Sequence, residues 1–265
     1  MNLLHEAFNF DGKVIVIAGG NGQIGSAICK YLSSTNALVI VLDVKFDNLN
    51  PGRRTHFLES NVDFSREYLE TAINSIENQF GPIYGLINCM NRRNPEKSKY
   101  FSEIADYSYE VWNEVIEGNI RNSFLLCREI GLRMAKRKEG SIVNFCSIYG
   151  AELGPDLRIY NNILEKDGPM TTPISYSVSK GGIQALTKHL AMAWGKFGVR
   201  VNSISPGGVF NHQNQVFIEA YSSRVPMGRL AQVEEVIGLP IFLLSPFSSY
   251  ITGQNIFVDG GLSSW

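Results

Sequence analysis

Val14-Ile15-Val16-Ile17-Ala18-Gly19-Gly20-Asn21-Gly22-Gln23-Ile24-Gly25 decides how this chain folds. Its first five residues are apolar and mostly β-branched, as in a parallel strand buried on both faces. A glycine cluster follows, then a helical pattern from Ile24 to about Leu32. Glycines between a buried strand and a helix permit a tight turn and close backbone approach to a pyrophosphate. The pyrophosphate then rests on the helix N-terminus. Such a cluster also suits an ordinary turn, but its place after an N-terminal strand favours nucleotide binding. Gly19, Asn21, Gln23, Ile24 and Gly25 are therefore candidate cofactor contacts.

Outward from this stretch, strand-like and helix-like runs alternate. Strands are expected at 38–42, 55–58, 83–88, 140–147, 200–205 and 255–259, and helices at 67–79, 108–137, 175–197 and 234–244. Strands separated by helices imply right-handed crossovers and a parallel sheet covered on both faces. The expected fold class is α/β: a doubly wound, seven-stranded Rossmann sheet in one domain over residues 1–265. Irregular segments at about 91–100, 151–175 and 208–228 are expected to serve the substrate. Asp43 ends the second strand, near the spacing of a carboxylate that accepts from adenosine ribose hydroxyls. It repels a 2′-phosphate, which favours NAD and leaves NADP possible, since Lys45 stands close. A strand-end Asp in a turn is the plainer alternative.

Bulk composition excludes several classes. Lys plus Arg number 24 and Asp plus Glu 25, giving a net charge of −1. No global field invites nucleic acid or an anionic membrane. No apolar run is long enough to span a bilayer, and the first residues lack a signal-peptide pattern. The four cysteines (Cys29, Cys89, Cys127, Cys146) show no metal-ligand spacing, nor do the four histidines. No metal is expected, and the cysteines read as buried free thiols of a cytoplasmic protein.

Tyr176-Ser177-Val178-Ser179-Lys180 carries the chemistry. On a helix, positions i and i+4 share a face, so a phenol and an ammonium meet at one site. The cation is expected to pull the phenol pKa down from about 10, making a general acid/base for an alcohol or carbonyl. A surface Tyr and a solvated Lys have the same spacing, so the pair gains meaning only from the rest of the chain.

Together these segments resemble the short-chain dehydrogenase/reductase family, over Lys13 to Leu262. Gly140-Ser141-Ile142-Val143-Asn144-Phe145-Cys146-Ser147 resembles the strand that delivers a catalytic Ser, and Asn119 matches the family's helix Asn. Arg200-Val201-Asn202-Ser203-Ile204-Ser205-Pro206-Gly207 resembles the strand and turn beside the nicotinamide. Ser249-Tyr250-Ile251-Thr252-Gly253 and Val258-Asp259-Gly260-Gly261 resemble the C-terminal signature. The resemblance implies catalytic roles for Asn119, Ser147, Tyr176 and Lys180. It also implies cofactor contacts from Asn61, Val62, Asn88, Lys180, Pro206, Gly207 and Val209. Departures from the family pattern concern cofactor affinity. Ala18 stands for Thr, Cys89-Met90-Asn91 for Asn-Ala-Gly, Asn61 for Asp and Asn211 for Thr, and the Gly22 spacing is that of the extended, sugar-nucleotide branch.

What the resemblance implies is an NAD(P)-dependent oxidoreductase interconverting a secondary alcohol and a ketone. Tyr176 exchanges the hydroxyl proton, Lys180 lowers its pKa and holds the nicotinamide ribose, Ser147 binds the substrate oxygen, and Asn119 binds a water leading from Lys180 to solvent. An NAD-retaining epimerase or dehydratase, and a catalytically silent nucleotide-binding protein, stay open at this point. The segment 151–175 contains Tyr160, Asn161, Asn162, Glu165, Lys166 and Asp167, which suggests a polar, sugar-like substrate. Its end at Met170-Thr171-Thr172-Pro173 resembles oxidoreductases of flagellin modification and nonulosonic-acid pathways. Arg92, Arg93, Lys97 and Lys99 form a cluster suited to a phosphate or carboxylate. Ile183, Leu186, Leu190, Met192 and Trp194 are expected to offer a face for a homodimer or homotetramer.

Overall fold

Val14–Ala18 forms strand β1, with every residue buried. Side chains alternate across a strand, so Val14, Val16 and Ala18 enter one core layer while Ile15 and Ile17 enter the other. Burial on both faces requires cover on both faces. The computed structural model describes residues 8–47, 54–60, 64–160, 164–165, 168–169 and 171–264. In chain order it contains β2 (Leu38–Asp43), β3 (Thr55–Glu59), β4 (Ile83–Asn88) and β5 (Gly140–Phe145), the short β6 (Leu164–Glu165) and β7 (Gly168–Pro169), then β8 (Val199–Pro206) and β9 (Asn255–Val258). Among the described residues a seven-stranded sheet runs in the order β3-β2-β1-β4-β5-β8-β9. Every neighbouring pair in it is parallel. The strand order reverses between β1 and β4, and ligands of such sheets bind in the crevice outside the carboxyl ends there.

The cover comes from α1 (Gln23–Ser33), α2 (Arg66–Phe80), α3 (Lys97–Tyr100), α4 (Tyr109–Ile116), α5 (Asn122–Arg137), α6 (Ile174–Trp194), α7 (Gln215–Ser222) and α8 (Val233–Leu244). One core layer packs the sheet against Leu69 and Ile73 of α2, Leu126 and Ile130 of α5, and Leu190 and Trp194 of α6. The opposite layer packs it against Ile28 and Leu32 of α1 and Val236 and Leu243 of α8. Each fully buried aliphatic side chain contributes about 1.5–3 kcal/mol of transfer free energy.

Three expectations need correction. The long helix over 108–137 is broken by a π-helical turn at Glu117–Arg121. The strand expected to reach Ser147 stops at Phe145, because the Ser147 hydroxyl accepts from the Tyr149 N–H at 3.2 Å and caps a short turn, Ile148–Ala151. The segment 208–228 contains α7, whose N-cap Asn214 accepts from Val216 N at 2.8 Å. β6 and β7 pair antiparallel inside the segment 151–175.

Candidate active site

The β1–α1 loop is a cradle. A Cβ added to Gly25 would stand 2.3 Å from the Gly19 carbonyl oxygen, so only glycine lets the first turn of α1 lie on the loop. Gly22 caps α1 without a side-chain hydrogen bond, and no acid occupies the first turn. The leading N–H groups and the positive end of the helix are thereby left for an anion. Asp43, at the end of β2, accepts from Asn21 N at 2.8 Å and from Val44 N at 2.7 Å. Its carboxylate is fixed beside the loop with acceptor capacity remaining. Lys45 pairs with Asp47 at 3.0 Å. Across the crevice Pro206 ends β8, Gly207 N donates to Val258 O at 3.0 Å, and Val209 bridges to Ala231. Gln23 Nε2 reaches over to Phe210 O at 2.5 Å, tying the loop to this far wall. A bare helix start, a fixed carboxylate and a second wall fit a dinucleotide.

Asn88 is placed differently from a direct contact. Its amide is buried, donating to Ser123 Oγ at 2.9 Å and Asn144 Oδ1 at 3.2 Å and accepting from Met90 N at 3.2 Å. Asn144 continues the network to Thr187 Oγ1 at 3.0 Å. Asn88 thus shapes the loop after β4 from below. Asn61 and Val62 lie outside the described residues.

Ser147, Tyr176 and Lys180 meet at the carboxyl ends of β4 and β5. Gly150, at φ +86°, makes this possible: a Cβ there would stand 1.9 Å from Ser177 O, so the turn carrying Ser147 closes directly onto α6. Burial pushes the Tyr176 phenol pKa up, while the hydrogen bond from Ser147 and the charge of Arg93 pull it back down. Lys180 is 4% exposed, and its Nζ donates to Phe145 O at 3.0 Å and Met90 O at 3.5 Å. Burial lowers its pKa to about 8. The ammonium stands 5.8 Å from the centre of the Tyr176 ring. Lys180 is anchored on backbone carbonyls, and Arg93 adds a further positive charge that lowers the Tyr176 pKa.

Asn119 sits in the π-turn, 1% exposed. Its Oδ1 accepts from Arg92 N at 2.6 Å and its Nδ2 donates to Ser179 Oγ at 3.1 Å. Its side chain locks the segment after β4 onto α6. The basic cluster also divides. The Arg92 guanidinium is held by Glu114, and Lys99 pairs with Glu96 at 2.8 Å. Arg93 alone acts electrostatically on Tyr176, Lys180 and Tyr100.

The side chains of Asn161, Asn162, Glu165, Lys166 and Asp167 lie outside the described residues, and the described part of the segment 151–175 brings in aromatic and apolar side chains. Ile159 is buried, and the Tyr160 ring lies 5.8 Å from Phe217 of α7, which lies 5.6 Å from Tyr221. Tyr160 OH shares a hydrogen bond of 2.7 Å with Thr172. Tyr149, Tyr160 and Tyr221 all sense the Tyr176 charge and line the same space. Tyr149, two residues past Ser147, and the Phe217–Tyr221 pair at i, i+4 were the available sequence signals for this wall. A cavity lined by Gly208, Tyr221, Val225, Met227, Arg229 and Asp259 adjoins this wall through Tyr221 and touches none of the four candidate catalytic residues. The expected oligomer face is also corrected: Ile183, Leu190 and Trp194 are buried within the chain, and Met192 is 84% exposed.

A dinucleotide cradle facing a Ser–Tyr–Lys cluster defines a nicotinamide-dependent oxidoreductase acting on CH–OH groups. Residues 18–263 match the family model described as enoyl-(acyl carrier protein) reductase. The NAD-dependent glycerol dehydrogenase of Listeria innocua is 30% identical over 96% of this chain and 95% of its own. The 5-keto-D-gluconate 5-reductase of Escherichia coli is 28% identical over 98% of each chain. A short-chain dehydrogenase from Leptospira borgpetersenii, solved with bound NAD+, is 33% identical and superposes with a TM-score of 0.87, over 99% of this chain and 96% of that one. This chain belongs to the short-chain dehydrogenase/reductase family.

Proposed function

We propose that the protein interconverts a secondary alcohol and a ketone on a polar, sugar-like substrate held between the segments 91–100, 151–175 and 208–228. The observation that carries this reading is the Tyr176 phenol beside Ser147, with Tyr149, Tyr160 and Tyr221 close enough to be influenced by it and with ring faces and hydroxyls that suit a polyol. Similarity to a glycerol dehydrogenase and a keto-gluconate reductase supports the same substrate class.

NAD supplies the hydride acceptor in oxidation, and NADH the donor in reduction. The protein supplies position and protons. Tyr176 takes the proton from the substrate hydroxyl in oxidation and returns it in reduction. Ser147 hydrogen-bonds the same oxygen and stabilises the charge that develops on it. Lys180, anchored on Phe145 O and Met90 O, holds the nicotinamide ribose. Asn119 acts as a positioning residue through Arg92 and Ser179. Gly19, Asn21, Gln23, Ile24, Gly25 and Asp43 would hold the adenosine and pyrophosphate, and Pro206, Gly207 and Val209 the nicotinamide side.

The experiment is a screen of neutral polyols, sugar acids and phosphorylated or nucleotide-linked sugars with NAD, read as absorbance of the reduced cofactor. Net reduction with a polyol or sugar acid supports the reading, and reduction with apolar alcohols only would defeat it.

We further propose a homodimer or homotetramer in the cytoplasm. Phe124 and Leu132 on α5 and Val178 and Met192 on α6 are apolar and outward-facing. No described helix is long and apolar enough to cross a membrane, and the four cysteines are free thiols. Sedimentation as a species of 29.5 kDa would refute the assembly.

A further inference from the structure

Arg93 is exposed on the segment after β4, between two residues that share one anchor. The Arg92 guanidinium and Asn94 Nδ2 both donate to Glu114 of α4, and Arg92 N is held by Asn119 in the π-turn. Arg92 also packs on Gly118, where an added Cβ would stand 2.6 Å from its Cβ and Cγ. The backbone on both sides of Arg93 is thus fixed by α4 and the π-turn. The acids nearest to it are already paired, Glu114 with Arg92 and Glu96 with Lys99. No hydrogen bond or ion pair joins the Arg93 guanidinium to another residue among the described ones. No such partner offsets its charge, which bears on Tyr176 and Lys180 of α6 and on Tyr100 of α3.

A cation exposed on a segment fixed by its neighbours, unpaired among the described residues and set against the site through Met90 O, which accepts from Lys180 Nζ at 3.5 Å, is arranged for an anion that arrives with the substrate. We propose that Arg93 forms an anion subsite of the substrate cleft, recognising a carboxylate or phosphate on the polyol that reacts at Tyr176, with Glu114 as the residue that positions it. This rests on the functional reading above and narrows it to anionic substrates. A guanidinium suits the task because its planar fork meets two oxygens of either group at once. Phosphate and carboxylate share this chemistry, so the substrates separate them.

The test measures kcat/KM with saturating NAD for two anionic alcohols, D-gluconate and glycerol 3-phosphate, and two neutral ones, sorbitol and glycerol. The proteins are the parent, Arg93→Ala, Arg93→Lys, Glu114→Gln and, as a loop control, Lys99→Ala. The parent is expected to favour at least one anion over the neutral polyols. Arg93→Ala is expected to lower that anionic-to-neutral ratio at least tenfold, chiefly through KM, in line with a charge-assisted hydrogen bond of about 1.5–3 kcal/mol. Arg93→Lys should restore part of the ratio, Glu114→Gln should lower it with Arg93 still present, and Lys99→Ala should leave it unchanged. Whichever anion loses its advantage identifies the group recognised. A second readout is independent of substrate choice. Since Arg93 lowers the Tyr176 pKa, its removal should shift the ascending limb of the oxidation pH profile to higher pH. A ratio unchanged in Arg93→Ala, or a parent that prefers neutral polyols, overturns the subsite and leaves the oxidoreductase reading standing. No NAD reduction with any polyol or sugar acid overturns both.

Discussion

At Tyr176 two opposing effects meet on one oxygen. Burial favours the neutral phenol, while Ser147 and Arg93 favour the phenolate. For oxidation the phenolate is the base, so the rate should rise with pH until the phenol has ionised. For reduction the phenol is the acid, so the rate should fall over the same range. Tyr176→Phe removes the proton-transfer group and one hydroxyl while keeping the ring. Turnover should drop by about 10² to 10⁴, the usual worth of positioned acid/base help. NADH affinity, read by fluorescence titration, should stay within about twofold of the parent, since the cradle at Gly19–Gly25 is untouched. Undiminished turnover in this variant would remove Tyr176 from the mechanism. Lys180 shows what a sequence spacing leaves unsaid about anchoring. The i, i+4 rule brought the two heads to one site, but the backbone carbonyls that would anchor the ammonium belong to residues 35 and 90 positions away.

Among the elements, the turn after β5 decides whether Ser147 reaches the phenol. Gly150 has positive φ and almost touches Ser177 O, so no other residue lets the turn approach α6 this closely. Gly150→Ala should keep the circular dichroism spectrum and NADH affinity of the parent yet lower kcat at least tenfold, because Ser147 is displaced and Tyr176 is not. Equal kcat in this variant would show that the contact does not matter. The same turn marks the boundary of what sequence makes legible. Continuous apolar runs such as those of Val14–Ala18 and Leu38–Asp43 announce themselves, since burial on both faces leaves composition no choice. Ser147, Tyr176 and Lys180 are equally visible, as motifs at the ends of such elements. The π-turn that carries Asn119, the Glu114 anchor of Arg92 and Asn94, and the aromatic wall from Tyr160 to Tyr221 are not. Each depends on side chains brought together from distant segments, and the one periodic trace, Phe217 and Tyr221 at i, i+4, does not say what the pair faces.

For the whole molecule, the dinucleotide crevice is the place where two halves of the chain meet. β1, α1 and β2 form one wall, and the turn after β8 the other, joined by the Gln23 to Phe210 hydrogen bond. A ligand that spans both walls binds the folded chain and not the unfolded one, so it raises stability by mass action. At 100 times its dissociation constant NAD should add about 2.7 kcal/mol. For a chain of this size each kcal/mol moves the melting temperature by about 2–4 °C, so the shift should be about 5–11 °C. NADP should do much less at the same concentration. The carboxylate of Asp43 is fixed by Asn21 N and Val44 N and cannot turn away from a 2′-phosphate, and Lys45 is drawn off by Asp47. The extra phosphate would meet an immobile negative charge, and at close range in a crevice such repulsion outweighs one added hydrogen bond. Asp43→Ala removes that charge and also releases the loop at Asn21. The NAD shift should therefore shrink while the NADP shift grows, and the two should approach each other. Equal shifts with NAD and NADP in the parent would show instead that Asp43 does not select the cofactor.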